Sequence, residues 1–151
     1  MVPEEQTREQ IDKLLLATGW VVQDLKDLNV AEYTEHVFSP EGKLSSLNGF
    51  EYRPQQHRMA QAIADALENN SHLLVEAPSG VGKSLAYLVP AIVHAIKNKR
   101  KAVISTHTKT LQEQLLRKDL RIVRSLLDFD FEAVTFKGRS NYLCTTRLRN
   151  A

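Results

Sequence analysis

Leu73-Leu74-Val75-Glu76-Ala77-Pro78-Ser79-Gly80-Val81-Gly82-Lys83-Ser84 reads as three pieces in a fixed order: a buried apolar strand, a tight glycine-containing turn, and the first turn of a helix. From Ala77 to Ser84 the spacing is that of the phosphate-binding loop, with Ala77 where the strict pattern has Gly and Gly82-Lys83-Ser84 closing it. Phosphate chemistry explains the residue types. Gly80 and Gly82 carry no Cβ, so the backbone can curl and turn several N–H groups toward one anion. A helix starting near Lys83 aims the positive end of its dipole at the same point. Lys83 adds a mobile charge for the terminal phosphates, and the Ser84 hydroxyl can ligate Mg²⁺. The stretch is expected to bind a nucleoside triphosphate.

Working outward, Leu85, Leu88, Val89, Ile92, Val93 and Ile96 form the apolar face of the helix that follows, with Pro90 inside it as an expected kink or unpaired carbonyl. After the basic turn Lys97 to Lys101, Ala102-Val103-Ile104-Ser105-Thr106 reads as a second buried strand. Strand, helix and strand at this spacing make a right-handed βαβ unit with parallel strands. A helix is expected over Thr110 to Leu127, with Asp119 as a break, and Ala133-Val134-Thr135-Phe136 as a third strand. The fold class is therefore α/β: a P-loop NTPase with a parallel sheet flanked by helices.

On the N-terminal side, Pro54 suits the first turn of a helix that Met59, Ile63, Ala64 and Leu67 continue and Asn69-Asn70-Ser71 stops. Gln56 at its start is either solvated or reads an adenine edge, with the aromatic rings just before it available for stacking. Residues 30–50 read as a connecting region with one strand around Tyr33–Phe38. Thr7-Arg8-Glu9-Gln10 is a capping box ahead of Ile11, Leu14 and Leu15; Gly19 would end that helix and Trp20-Val21-Val22 form a short strand. Residues 1–49 thus form a lead-in, and residues 50–151 the first part of the nucleotide-binding domain.

Composition narrows the class. The 151 residues, 42% hydrophobic and 25% charged, suit one soluble domain. The apolar-rich run from Leu85 to Ile96 is too short to span a bilayer, so no membrane role is expected. One cysteine, Cys144, excludes an internal disulfide and fits a reducing cytoplasm. No secretory leader is read at the acidic start. The net charge of +2 is unevenly spread: residues 1–96 carry 7 Lys/Arg and 13 Asp/Glu, residues 97–151 carry 13 and 5. The basic half points to a polyanionic partner, or else to solvated helix faces.

Three further constellations carry chemistry. Thr106, His107 and Thr108, with Gln112 beyond, stand where a parallel strand ends and a helix begins, a place for nucleic-acid phosphates or simply for N-capping by Thr108. Cys144 is either an inert buried thiol or a metal ligand, and one thiolate cannot hold an iron–sulfur cluster, which needs about four. Hydrolysis needs a second strand-end acid, and no four-residue apolar run leads into Asp-Glu after the loop. Leu126-Leu127-Asp128 belongs to a helical pattern. No catalytic residue is found: the Walker B acid is absent.

From about Phe38 onward the chain resembles the opening of DinG/XPD-type iron–sulfur DNA helicases of superfamily two. Four motifs carry the resemblance in order: Arg53-Pro54-Gln55-Gln56-His57-Arg58-Met59, Glu76 to Ser84, Ser105 to Leu115, and Lys137 to Cys144. The resemblance implies an incomplete RecA-like domain, ATP with Mg²⁺ at Lys83 and Ser84, adenine reading by Gln56, and single-stranded or forked DNA near Thr106–Thr108, Gln112, Lys137 and Arg139. It implies Cys144 as the first of four ligands to a 4Fe-4S cluster in a complete parent, and ATP-driven 5′-to-3′ unwinding as the parent's activity. Against that pattern, the sequence stops before three cysteines, the Asp-Glu-Ala-His acid motif and a second RecA-like domain, so an inactive N-terminal fragment is expected. A separate resemblance links Thr7 to Asn29 with the large subunit of type I restriction enzymes, which implies a translocase fragment instead. A stand-alone, non-catalytic nucleotide- or DNA-binding module is the alternative from a different class.

Overall fold

The computed structural model describes residues 28–144 throughout, together with Thr7, Gln10, Ile11, Lys13, Leu14, Ala17, Leu148 and Arg149. Thr7 through Ala17 are helical where described, while the strand expected at Trp20-Val21-Val22 and the helix end at Gly19 lie outside the described residues.

Helix α1 spans Val30–Phe38, where the sequence suggested a strand over Tyr33–Phe38. The helix prevails for two reasons. Asn29 Oδ1 accepts from the Glu32 N–H at 3.1 Å and so caps its start. Val30, Thr34, Val37 and Phe38, spaced by four, three and one, then fall on one helical face, and all four are buried. The buried Thr34 hydroxyl donates to the Val30 carbonyl at 2.7 Å, so it costs the core little.

Helix α2, Pro54–Glu68, begins with proline at its first position, where the missing N–H is no loss. Its buried positions are Gln56, Ala60 and Ala64, and the two alanines let the next helix approach closely. That helix, α3, covers Lys83–Lys97 and buries Leu85, Ala86, Leu88, Val89, Pro90, Ile92 and Val93. It runs on through Pro90, whose ring lies in the core while the Ala86 carbonyl forgoes its usual helical donor. Helix α2 packs chiefly on α3, and α1 lies against both.

The helix expected over Thr110 to Leu127 comes in three parts: α4, Lys109–Gln114; a π-helical turn, Leu115–Asp119; and α5, Leu120–Leu126. The Leu120 N–H bonds the Leu115 carbonyl, so one extra residue is accommodated and the break falls where Asp119 was expected to mark it. Leu115, Val123, Leu126 and Leu127 enter the same core as α1, α2 and α3. Tyr33 ties α1 to the end of this arm: its hydroxyl donates to Asp128 Oδ2 at 3.1 Å, and Lys43 pairs with the same oxygen. Burial foremost, with the Asp128 charge adding, pushes the Tyr33 phenol up to about 12.

The buried strands expected at Leu73–Val75, Ala102–Thr106 and Ala133–Phe136 are not seen as strands. Among the described residues there is no strand. Leu74 is 99% exposed, Val103 91% and Val134 92%, so the three apolar segments run without regular structure and largely at the surface. A parallel strand is stable only when paired and buried on both faces, and among the described residues these segments are neither. No described helix is long and apolar enough to cross a membrane.

Candidate nucleotide-binding site

The loop between Val75 and α3 is held by side chains from two sides. Gly80 and Gly82 both take φ +87°, the left-handed region that a residue with a Cβ adopts at a cost of about 1–2 kcal/mol. Gly82 is the N-cap of α3, which places the helix N-terminus and its free N–H groups directly at the loop. A Cβ on Gly82 would collide with the Gln56 amide, whereas one on Gly80 would meet nothing within 4 Å. The first glycine is therefore required by backbone angle alone, the second by angle and by space.

Gln56 is 5% exposed, and its Nε2 donates to the Gly82 carbonyl at 2.9 Å. It is thus neither solvated nor free; it braces the loop from α2. Arg53, one turn earlier, does the same for the other glycine, its Nη1 donating to the Gly80 carbonyl at 2.6 Å. Lys83 completes the set by folding back, its Nζ donating to the Ala77 and Pro78 carbonyls at 2.7 and 3.1 Å. Three cationic or amide donors thus occupy carbonyls that encircle the site. Ser84, the first residue past Lys83, hydrogen-bonds Tyr87; burial pushes the Tyr87 phenol up, that bond draws it back, and the charge of Asp119 pushes it further up.

A second network lies beside Arg53. His57 Nε2 meets Glu35 Oε2 at 2.6 Å, Gln61 donates to the same oxygen at 2.5 Å, and the Tyr52 hydroxyl meets His57 Nδ1 at 3.3 Å. The hydrogen bond from His57 foremost holds the Glu35 carboxyl below its ordinary value. These groups fix the approach of α2 to α1 and hence where Gln56 and Arg53 stand.

Thr108 is an N-cap: its hydroxyl accepts from the Leu111 N–H at 3.2 Å, while Thr106 donates to the Thr108 carbonyl and His107 is exposed. Gln112 and Lys137, expected near one path, are brought together. Gln112 Nε2 donates to the Phe136 carbonyl at 2.9 Å, and Lys137 pairs with Glu113, next in α4, at 3.1 Å. Arg139 opens a short 3₁₀ turn, Arg139–Asn141. Cys144 is exposed, which rules out the buried inert thiol. Among the described residues no group of three or more His, Cys, Asp or Glu could hold a metal. The chain supplies one thiol where a cluster needs about four, so its residues do not fit an iron–sulfur centre. Sequence reading missed Arg53 and the Glu35–His57 pair; the signal available for Arg53 was its place one turn before Gln56.

A family model for the DEAD/DEAH box helicase matches residues 54–148, from the first residue of α2 through both glycines and on past Cys144. The chain belongs to the DEAD/DEAH box helicase family. Membership places the loop within a P-loop, RecA-like fold. Among helicase-type relatives, the chain is 43% identical over 114 residues to the ATP-dependent DNA helicase YoaA of Haemophilus influenzae, a match covering 75% of this chain and 17% of that protein. Against YoaA of Escherichia coli it is 44% identical over 112 residues, 74% of this chain and 17% of the other. Against the 3′-5′ exonuclease DinG of Bacillus subtilis it is 47% identical over 96 residues, 64% and 10%. The chain thus spans between a tenth and a sixth of the length of these relatives. No solved structure matches it significantly.

Proposed function

We propose that this chain is the ATP-binding opening of a DinG-type, ATP-dependent DNA helicase. The observation that carries the proposal is the brace of Gln56 on Gly82, which joins the start of α2 to the phosphate loop in one rigid site. In this reading Mg²⁺-bound triphosphate displaces Lys83 from the Ala77 and Pro78 carbonyls, the loop amides take the phosphates, and Ser84 supplies the hydroxyl for the metal. The φ +87° glycines and the α3 N-terminus fit that group. Gln56 reaches the adenine from the same amide that braces the loop. Thr106, Thr108, Lys137 and Arg139 line the side that meets single-stranded DNA, supported by the hydrogen bonds joining Gln112 and Glu113 of α4 to Phe136 and Lys137.

The exposed segments 73–75, 102–106 and 133–136 are the strands of a parallel sheet that forms when further strands and covering helices are present. Residues 1–49 lead into a domain that begins at residue 50, with α1 packed onto it. Within the 151 residues no strand-end acid follows the loop, so the chain binds ATP and turns it over negligibly. Hydrolysis measured with Mg²⁺ and single-stranded DNA tests this: a rate near background is expected, and turnover abolished by Lys83→Ala would contradict it.

A further inference from the structure

Helix α3 carries the phosphate loop at one end and a concentrated basic turn at the other. Lys97 closes the helix, and Lys99, Arg100 and Lys101 follow it within four residues. The last three are exposed, and none forms an ion pair among the described residues. Beside them is a cleft of roughly 300 Å³ lined by Glu68, His94, Lys97, Asn98 and Arg100. Its one carboxylate is already engaged: Glu68 Oε1 accepts from Lys97 Nζ and from the Val30 N–H, each at 3.1 Å. His94 and Arg100 thus line the cleft beside a carboxylate whose Oε1 is already bonded by Lys97 and by the Val30 N–H.

The backbone adds an independent observation. Lys99 has φ +51°, and the Lys99 and Arg100 N–H groups bond back to the Ile96 and Ala95 carbonyls, closing the helix in a left-handed turn. Glycine is the favoured residue there, and a lysine at that position costs stability. The matching turn after α2 uses Asn70 at φ +49°, a residue that tolerates the region. Lys99 thus carries its charge from a left-handed turn with no acidic partner among the described residues.

We propose that Lys99, Arg100 and Lys101, with the His94 cleft, form a second contact for a nucleic-acid phosphate backbone, in addition to the residues assigned to DNA above. Lys83 and Lys97 are the two ends of a fifteen-residue helix, about 21 Å apart at 1.5 Å per residue, so the contact is distinct from the nucleotide site. The choice of nucleic acid over another polyanion rests on the helicase reading; the anion-binding character rests on the turn itself.

The test uses the full chain and a fluorescein-labelled oligothymidylate, with affinity followed against salt by anisotropy. Each lost single-strand phosphate contact lowers the log–log salt slope by about 0.7. The variant Lys99→Ala/Arg100→Ala/Lys101→Ala is expected to lower that slope by about 2 and to weaken binding by about tenfold or more at low salt. Its Mg²⁺-ATP affinity is expected to stay unchanged. Lys99→Gly separates fold from function: it is expected to raise the unfolding midpoint while weakening DNA binding severalfold. An unchanged slope in the triple variant would overturn the proposal, as would a Lys99→Gly protein that is more stable and binds DNA as before. If Lys137→Ala/Arg139→Ala weakens binding while the turn variants do not, the inference fails and the helicase reading stands. If ATP binding proves independent of Lys83 while the turn variants behave as expected, the reverse holds.

Discussion

Gln56 Nε2 donates to the carbonyl of Gly82 across 2.9 Å, and the same amide occupies the space that a Cβ on Gly82 would need. One contact therefore fixes both the backbone angle at the start of α3 and the distance between α2 and the loop. Losing the hydrogen bond alone costs about 1 kcal/mol, so Gln56→Ala is expected to weaken Mg²⁺-ATP binding about fivefold. Gly82→Ala should cost more, through its φ of +87° and the collision with Gln56. In the double variant the collision is gone and the angle penalty remains. A calorimetric double-mutant cycle should thus show Gly82→Ala costing less in the Gln56→Ala background than in wild type.

Arg53 holds the other glycine, with Nη1 at 2.6 Å from the Gly80 carbonyl. Because a Cβ on Gly80 meets nothing, the loop there is fixed by this donor and not by packing. Arg53→Ala should leave the thermal midpoint nearly unchanged and weaken ATP binding about three- to tenfold, the worth of one exposed hydrogen bond of about 1 kcal/mol. Arg53→Lys, which keeps the charge but not the planar fork, should recover only part. Full recovery by lysine would show that charge alone matters.

Asp119 is 6% exposed, and its Oδ2 finds no hydrogen-bond partner among the described residues. It closes the π-helical turn. A buried acceptor without a partner costs about 1–3 kcal/mol, so Asp119→Leu should leave stability unchanged or raise it in urea unfolding. A loss of several kcal/mol would mean that this carboxylate has a partner essential to the fold.

Glu35 is held below its ordinary 4.5 chiefly by the hydrogen bond from His57, then by that from Gln61. Its stabilising contribution is accordingly complete above pH 4.5 and is lost as pH falls through the lower folded-state value. Asp128, depressed chiefly by Lys43, adds a loss of the same sign. Glu35→Gln should flatten the acid limb of a stability-against-pH curve below pH 4.5 and leave neutral-pH behaviour of the curve's shape unchanged. An acid limb identical to wild type would show that the Glu35–His57 contact does not persist in solution.

The local features that depend on one or two residues were legible in the sequence. Pro54 starting α2, Asn69 ending it, Lys83 starting α3 and Thr108 capping α4 all stand where residue chemistry puts them. What the sequence did not show depends on choices among partners. Tyr33–Phe38 has the composition of a strand, and only the cap at Asn29 and the burial of Val30, Thr34, Val37 and Phe38 on one face decide for a helix. Leu73–Val75 and Ala102–Thr106 have the composition of buried strands, yet among the described residues they are unpaired and mostly exposed, because strand pairing depends on neighbours that a segment's own composition does not reveal. Gln56 stood out in the sequence as a candidate, but its partner, the Gly82 carbonyl, did not, because a backbone acceptor leaves no trace in side-chain spacing.

The central claim is that the loop from Ala77 to Ser84 is an ATP site. Equilibrium titration of the 151-residue chain with a fluorescent ATP analogue and Mg²⁺, alongside Lys83→Ala, tests it most directly. The account predicts saturable binding in wild type, dependent on Mg²⁺, and a loss of about thirtyfold or more in Lys83→Ala, the worth of about 2 kcal/mol. Equal affinity of the two proteins for the analogue would contradict it.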